Sequence, residues 1–180
     1  MKILTLPNPI LHQVCEPVKV GDKQVKKLAK QMSKLMYKSD GVGIAAPQVG
    51  ILQRFVVIDC EYCMEDENGN SPKKNPLVLI NPEIIEHSEE KIKNIEGCLS
   101  VPGISVEVER WASVVVKCLN ENFEEVIYEG GADLFGRCLQ HELDHLDGNT
   151  MIERLNPVMR IKAMQEYEQA CARGARPGEV

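Results

Sequence analysis

The chain has 180 residues, with 43% hydrophobic and 27% charged residues and a formal net charge of −6. That length suits one domain with a sizeable core, expected over residues 1 to 180. The negative charge argues against a general nucleic-acid binder, and no apolar run is long enough to span a membrane.

The first nine residues, Met1-Lys2-Ile3-Leu4-Thr5-Leu6-Pro7-Asn8-Pro9, lack the apolar stretch and cleavage site of a secretory signal. Seven scattered cysteines form no disulfide framework, so a reduced cytoplasm is the expected setting. Residues 23 to 38 carry Val25, Leu28, Ala29, Met32, Leu35 and Met36 at helical spacing, with Asp22 as the expected cap. Phe55-Val56-Val57-Ile58 reads as a buried strand. A polar loop is expected from Cys60 to Pro76, including Glu65-Asp66-Glu67-Asn68-Gly69-Asn70. Leu77-Val78-Leu79-Ile80 reads as a strand broken by Asn81-Pro82 and resumed at Glu83-Ile84-Ile85-Glu86. Residues 104 to 108 alternate apolar and polar. Residues 113 to 119 and 125 to 128 read as a hairpin about Asn120-Glu121-Asn122. Asp133 and Gly148 bracket another helix. Asn156-Pro157 opens a last one, with Val158, Ile161, Met164 and Tyr167 as its apolar positions. The tail from Arg173 to Gly178 is expected to fray. The fold class is therefore α+β.

The chemistry concentrates in His141-Glu142-Leu143-Asp144-His145. Helical residues four apart lie about 40° from alignment and about 6 Å along the axis. Both imidazoles then face one metal ion, and Glu142 can reach a water beside it. Two core histidines held by hydrogen bonds are the plain alternative. It requires burying two His and a Glu on one helix without compensation. A third ligand is needed for a catalytic site.

Two further blocks supply candidates: Glu96-Gly97-Cys98-Leu99-Ser100, and Gly41-Val42-Gly43-Ile44-Ala45-Ala46-Pro47-Gln48-Val49-Gly50. Together with Gln140 to Gly148, these blocks resemble the peptide deformylases in order and approximate separation, over almost the whole chain. The resemblance implies antiparallel sheets around a central metal-binding helix, with an N-terminal and a C-terminal helix. It implies an enzyme that removes the formyl group from the N-terminal methionine of new polypeptides. Cys98, His141 and His145 become the metal ligands, and Glu142 the acid–base group. Gln48 and the Leu99 N–H become oxyanion donors. Iron(II) is implied in the cell, and zinc, nickel and cobalt suit the same donors. Gly43, Ile44 and Gly97 are candidates for peptide contact, the last two by strand-like pairing. Leu134 and Cys138 are candidates for the methionine pocket. Bacterial members can meet the ribosome through a basic C-terminal helix. Here Arg160, Lys162, Arg173 and Arg176 face Glu166, Glu168 and Glu179, a near balance that weakens that expectation.

Some residues stay open. Gly41 and Gly43 provide either close backbone approach or positive φ. Cys60-Glu61-Tyr62-Cys63 has the spacing of half a zinc site or a redox pair, but ordinary thiols are expected. Arg110 has Glu96 and Asp144 as candidate partners, and a plain surface arginine competes with both. His12 and His87 read as ordinary. A metallopeptidase remains an alternative, with Glu153 as its downstream ligand, as does a non-catalytic metal-binding relative.

Overall fold

The computed structural model describes residues 1–64 and 72–179. The polar run from Glu65 to Asn70 lies outside the described residues. Three helices, α1 (Lys23–Lys38), α2 (Leu134–Leu146) and α3 (Pro157–Ala172), pack with seven strands. The strands are β1 (Gly43–Ala45), β2 (Phe55–Ile58), β3 (Leu77–His87), β4 (Lys91–Cys98), β5 (Val101–Trp111), β6 (Val114–Leu119) and β7 (Glu125–Gly130). One antiparallel sheet runs β1-β2-β3-β6-β7; the other pairs β4 with β5. The expected α+β class and its antiparallel sheets around α2 are what the structure contains.

The cap residues act as the sequence implies. Asp22 accepts from the Gln24 N–H at 2.9 Å, Asp133 from Gly136 at 2.8 Å and Asn156 from Met159 at 3.0 Å. Gly148 ends the α2 segment at φ 75°, a left-handed conformation that glycine takes without a Cβ clash.

Strand β2 is apolar at every position because both faces of its sheet are covered. Phe55 and Val57 join Val25, Ala29, Met32 and Met36 of α1 in one core. Val56 and Ile58 join Leu139, Leu143 and Leu146 of α2 in another. Strand β5 instead alternates. Ile104, Val106 and Val108 turn inward to a third core shared with Ala163, Tyr167 and Ala170 of α3.

Three expectations need correction. Asn81-Pro82 does not break its strand; it sits in a bulge within continuous β3. Asn81 takes φ 50°, and its side chain bonds both the N–H and the carbonyl of Val18, at 2.8 and 2.9 Å. Those bonds hold the bulge, so the strand resumes. On α3 the apolar stripe is displaced. Val158 and Ile161 are 76% and 62% exposed, and the helix seats through Ala163, Tyr167 and Ala170. Small residues allow it to lie close on β5. The tail beyond α3 is packed, since the Gly103 N–H donates to the Glu179 carbonyl at 2.7 Å.

Candidate metal centre and catalytic cleft

Helix α2 carries a run of buried polar side chains, Gln140, His141, Glu142, Asp144 and His145. Each needs a partner or a function. Gln140 brackets the Trp111 backbone, accepting from its N–H and donating to its carbonyl, both at 3.1 Å. Asp144 accepts from Arg110 Nη1 at 2.7 Å and from Arg154. Arg110 also grips Glu96 in two bonds of 2.7 and 2.8 Å. The open choice at Arg110 thus resolves to both carboxylates. Burial works against the charge on Glu96, yet Arg110 and His141 outweigh it and bring its carboxyl down to about 2.

Glu96 in turn bonds His141 Nδ1 at 2.9 Å. That contact fixes the ring and leaves Nε2 facing the cleft, the usual support for a metal-ligating histidine. Burial, with the positive charges of His141 and Arg110, lowers the pKa of His145 well below its ordinary value. The ring stays neutral with a free lone pair.

Strand β4 ends at Cys98, whose Sγ lies 3.3 Å from His145 Nε2. One ligand atom each from Cys98, His141 and His145 lies within 4.8 Å of the others, and all three residues are buried. A nitrogen and a sulfur sharing one tetrahedral ion stand about 3.5 Å apart, given usual bond lengths of roughly 2.0 and 2.3 Å. The donor set therefore fits a divalent transition metal. Among the described residues no other cluster of three such groups comes together.

The competing ligands are committed elsewhere. Glu153 caps Thr150, accepting from its N–H at 2.7 Å and its hydroxyl at 2.8 Å. Cys138 shares a hydrogen bond with Cys60 and is buried. Both effects push its pKa well above the ordinary thiol value and disfavour the thiolate a metal requires. Cys63 caps the Cys60 carbonyl at 3.2 Å, so the Cys-x-x-Cys pair is a turn with free thiols. His87 stacks on Trp111 with ring centroids 4.0 Å apart.

A cavity of about 250 Å³ opens beside the cluster. It is lined by Gly43, Gln48, Gly97, Leu99, Leu134 and Cys138, together with Cys98, His141 and Glu142. Ile44 is placed differently. Its side chain is fully buried in the α1 core, which leaves only its backbone, on edge strand β1, for peptide contact. Gly41 and Gly43 serve close approach, since neither has positive φ. A Cβ on Gly43 would stand 2.5 Å from Glu142 Oε1 and 2.6 Å from Cys138 Sγ.

Glu142 Oε2 is buried with no hydrogen-bond partner among the described residues. Burial raises its pKa to about 7 against the pull of His141 and Arg110, so near neutrality it can hold or release a proton. Gln48 has a fixed orientation. Its Oε1 accepts from the Ala45 N–H at 2.8 Å, so Nε2 points to Ser100 Oγ, 3.1 Å away, and to Cys98 Sγ.

Sequence reasoning missed four contributors. Ser100, next to Leu99, holds Gln48. Arg137, Asp40 and Glu179 line the cavity. Arg137 stands four residues before His141, a helical spacing that could have pointed to it.

The family model described as polypeptide deformylase matches residues 1–160. The chain is 45% identical to the peptide deformylase of Aquifex aeolicus over 173 residues, covering 93% of this chain and 94% of that one. The solved peptide deformylase of Legionella pneumophila superimposes with a TM-score of 0.82 at 36% identity, covering 95% of each chain. That of Thermotoga maritima gives 0.76 at 40% identity, covering 87% of this chain and 97% of that one. With a Cys/His/His cluster beside a buried glutamate and this likeness over most of its length, the chain belongs to the peptide deformylase family of metal-dependent hydrolases, which remove the formyl group from new polypeptides.

Proposed function

We propose that Glu142 is the acid–base group, that Cys98, His141 and His145 hold the metal, and that formyl-methionyl chains are the substrate. The observation that carries this reading is the unpartnered Glu142 oxygen beside three convergent ligand atoms. Iron(II) in the cell and zinc as a stable occupant both suit one thiolate and two imidazoles, as do nickel and cobalt. A bound divalent ion supplies Lewis acidity at the formyl oxygen and makes water a better nucleophile near neutral pH.

The protein's own groups do the rest. Glu142 takes a proton from the attacking water, whose oxygen adds to the formyl carbon. Gln48 Nε2 and the Leu99 N–H donate to the formyl oxygen as it gains charge. Glu142 then passes the proton to the leaving nitrogen. The C–N bond breaks, giving formate and a free amino terminus. Backbone on the β1 edge near Ile44, and at Gly97 of β4, pairs with the peptide. Gly43, Leu134 and Cys138 receive the methionine side chain.

The whole chain acts as one catalytic domain, in the cytoplasm. No helix of the described residues is long and apolar enough to cross a membrane. A transient ribosome contact would form on the exposed face of α3. There Arg160 and Lys162 stand beside Glu166 and Glu168, a balance that argues for weak docking.

Formyl-Met-Ala should be hydrolysed at least about tenfold faster than formyl-Gly-Ala, since each methylene-scale contact is worth about 1–3 kcal/mol. Equal rates would remove the pocket assignment. No turnover of either would remove the reading.

A further inference from the structure

Charge is spread unevenly over this molecule, and the net value hides one face. The chain carries 21 basic against 27 acidic residues. Helix α1 holds six lysines, Lys23, Lys26, Lys27, Lys30, Lys34 and Lys38, and no acidic residue. At about 100° per residue, all six fall within an arc of roughly 120° along about 22 Å of helix. All six are exposed. The opposite face, with Val25, Ala29, Met32 and Met36, is buried against Phe55 and Val57. Tyr37 lies within the same arc, and Lys74 Nζ sits 4.4 Å from the centre of its ring, which adds a further cation to the stripe. Among the described residues, the one carboxylate paired with the α1 lysines is Glu121, 3.2 Å from Lys26 Nζ.

This arrangement works against the helix itself. Lys23 and Lys27, Lys26 and Lys30, Lys30 and Lys34, and Lys34 and Lys38 are like charges one turn apart. Lys23 and Lys26 also sit at the positive end of the helix dipole. Helix α3 mixes signs instead, with Lys162 Nζ 3.8 Å from Glu166 across one turn. The lysines of α1 are left for an anion from outside.

The chemistry of the stripe narrows that anion. Protein interfaces are depleted in lysine, and arginine is the better grip on carboxylates; α1 has no arginine. Lying in a membrane surface needs an apolar helix face, and here that face is in the core. Stacking on bases needs a free aromatic ring, and Tyr37 is half-buried beside Lys74. A row of backbone phosphates needs only point charges at regular spacing, which lysine supplies.

We infer that the lysine face of α1 docks on the phosphate backbone of structured RNA, without reading its sequence. The acidic remainder of the chain repels the same backbone, so this face alone can approach. It lies across the five-stranded sheet from α2, which leaves the cleft open. The deformylase reading enters only in choosing RNA over DNA, since new polypeptides are made among RNA.

The test measures binding of the full metal-loaded chain to a fluorescent RNA hairpin by anisotropy, between about 50 and 200 mM salt. The logarithm of the binding constant should fall linearly with the logarithm of salt concentration. Lys27→Gln, Lys30→Gln and Lys34→Gln combined should reduce that slope by about three, and Lys34→Gln alone by about one. Arg160→Gln with Lys162→Gln on α3 should leave it unchanged. No binding by the unaltered chain at the lowest salt would overturn the inference. So would a slope that the α1 substitutions leave unchanged, or tighter binding to phosphatidylserine vesicles than to the hairpin. Hydrolysis of formyl-Met-Ala is measured on the same samples. A chain that binds the hairpin through α1 but hydrolyses no formyl-Met-Ala would sink the deformylase reading and leave the docking face standing.

Discussion

Helices α2 and α3 begin alike, each behind a side-chain cap, and end in different environments. Ten of the thirteen residues of α2 are buried, against three of sixteen in α3. The buried set on α2 includes five polar or charged residues, while α3 leaves Val158 and Ile161 in solvent. Apolar content alone would have ranked the helices the other way. An exposed leucine-sized side chain is ordinary on a protein surface, but a buried charge is costly unless it is paired. On α2, Gln140, His141 and Asp144 have partners, and those partners come from β4, β5 and the turn after α2. Glu142 Oε2, His145 Nδ1 and Arg137 Nη1 do not. On the proposed reading, two of these leftover groups, Glu142 and His145, belong to the reacting centre, and the third lines the cleft beside it.

The comparison breaks most decisively at the metal. Cys98→Ala should lose the ion by metal analysis, and activity with it, whereas Cys138→Ala should keep the ion and change only pocket packing. The reverse pattern would exchange the two roles. Next comes Glu142→Ala, which should keep metal and fold yet lower kcat by about 10²–10⁴-fold. Near-normal kcat with metal bound would place the base elsewhere.

Arg110→Ala leaves Glu96 and Asp144 buried without their shared cation. Unfolding by denaturant should show a loss of about 3–5 kcal/mol. The pH dependence sharpens this. Glu96 has a folded pKa of about 2 against an ordinary 4.5, so its contribution is present above about pH 4.5 and is lost as pH falls toward 2. In the metal-free protein, that acid-sensitive window should flatten in Arg110→Ala. An unchanged slope would assign the acid sensitivity to other carboxyls. The smallest effect belongs to α3. Ile161→Lys should shift stability by no more than about 0.5 kcal/mol. A loss several times larger would mean that this face is covered in solution.

Local chemistry was legible from residue order. Caps at Asp22, Asp133 and Asn156, the Gly148 stop, the two-sided burial of Phe55 to Ile58 and the i, i+4 histidines all depend on neighbours a few residues away. The sequence also narrowed the third metal donor to a few residues, but choosing Cys98 by geometry required its approach to His145, 47 positions on. Arg110 needed the same kind of information. Two carboxylates on different elements compete for it, and the fold brings both within 2.8 Å. Position alone, at the end of the chain, predicts a frayed tail. Tertiary structure packs it instead: Gly178 lies so close to the end of α1 that a Cβ there would stand 2.5 Å from the Ser39 carbonyl oxygen, and the Gly103 N–H of β5 holds the Glu179 carbonyl. Residue order is enough to place most elements and the reactive groups, which follow from short-range hydrogen bonding and periodic burial. The partners of Arg110, the bulge at Asn81 and the wall of the cleft come from the fold, because each is made by residues far apart in the chain.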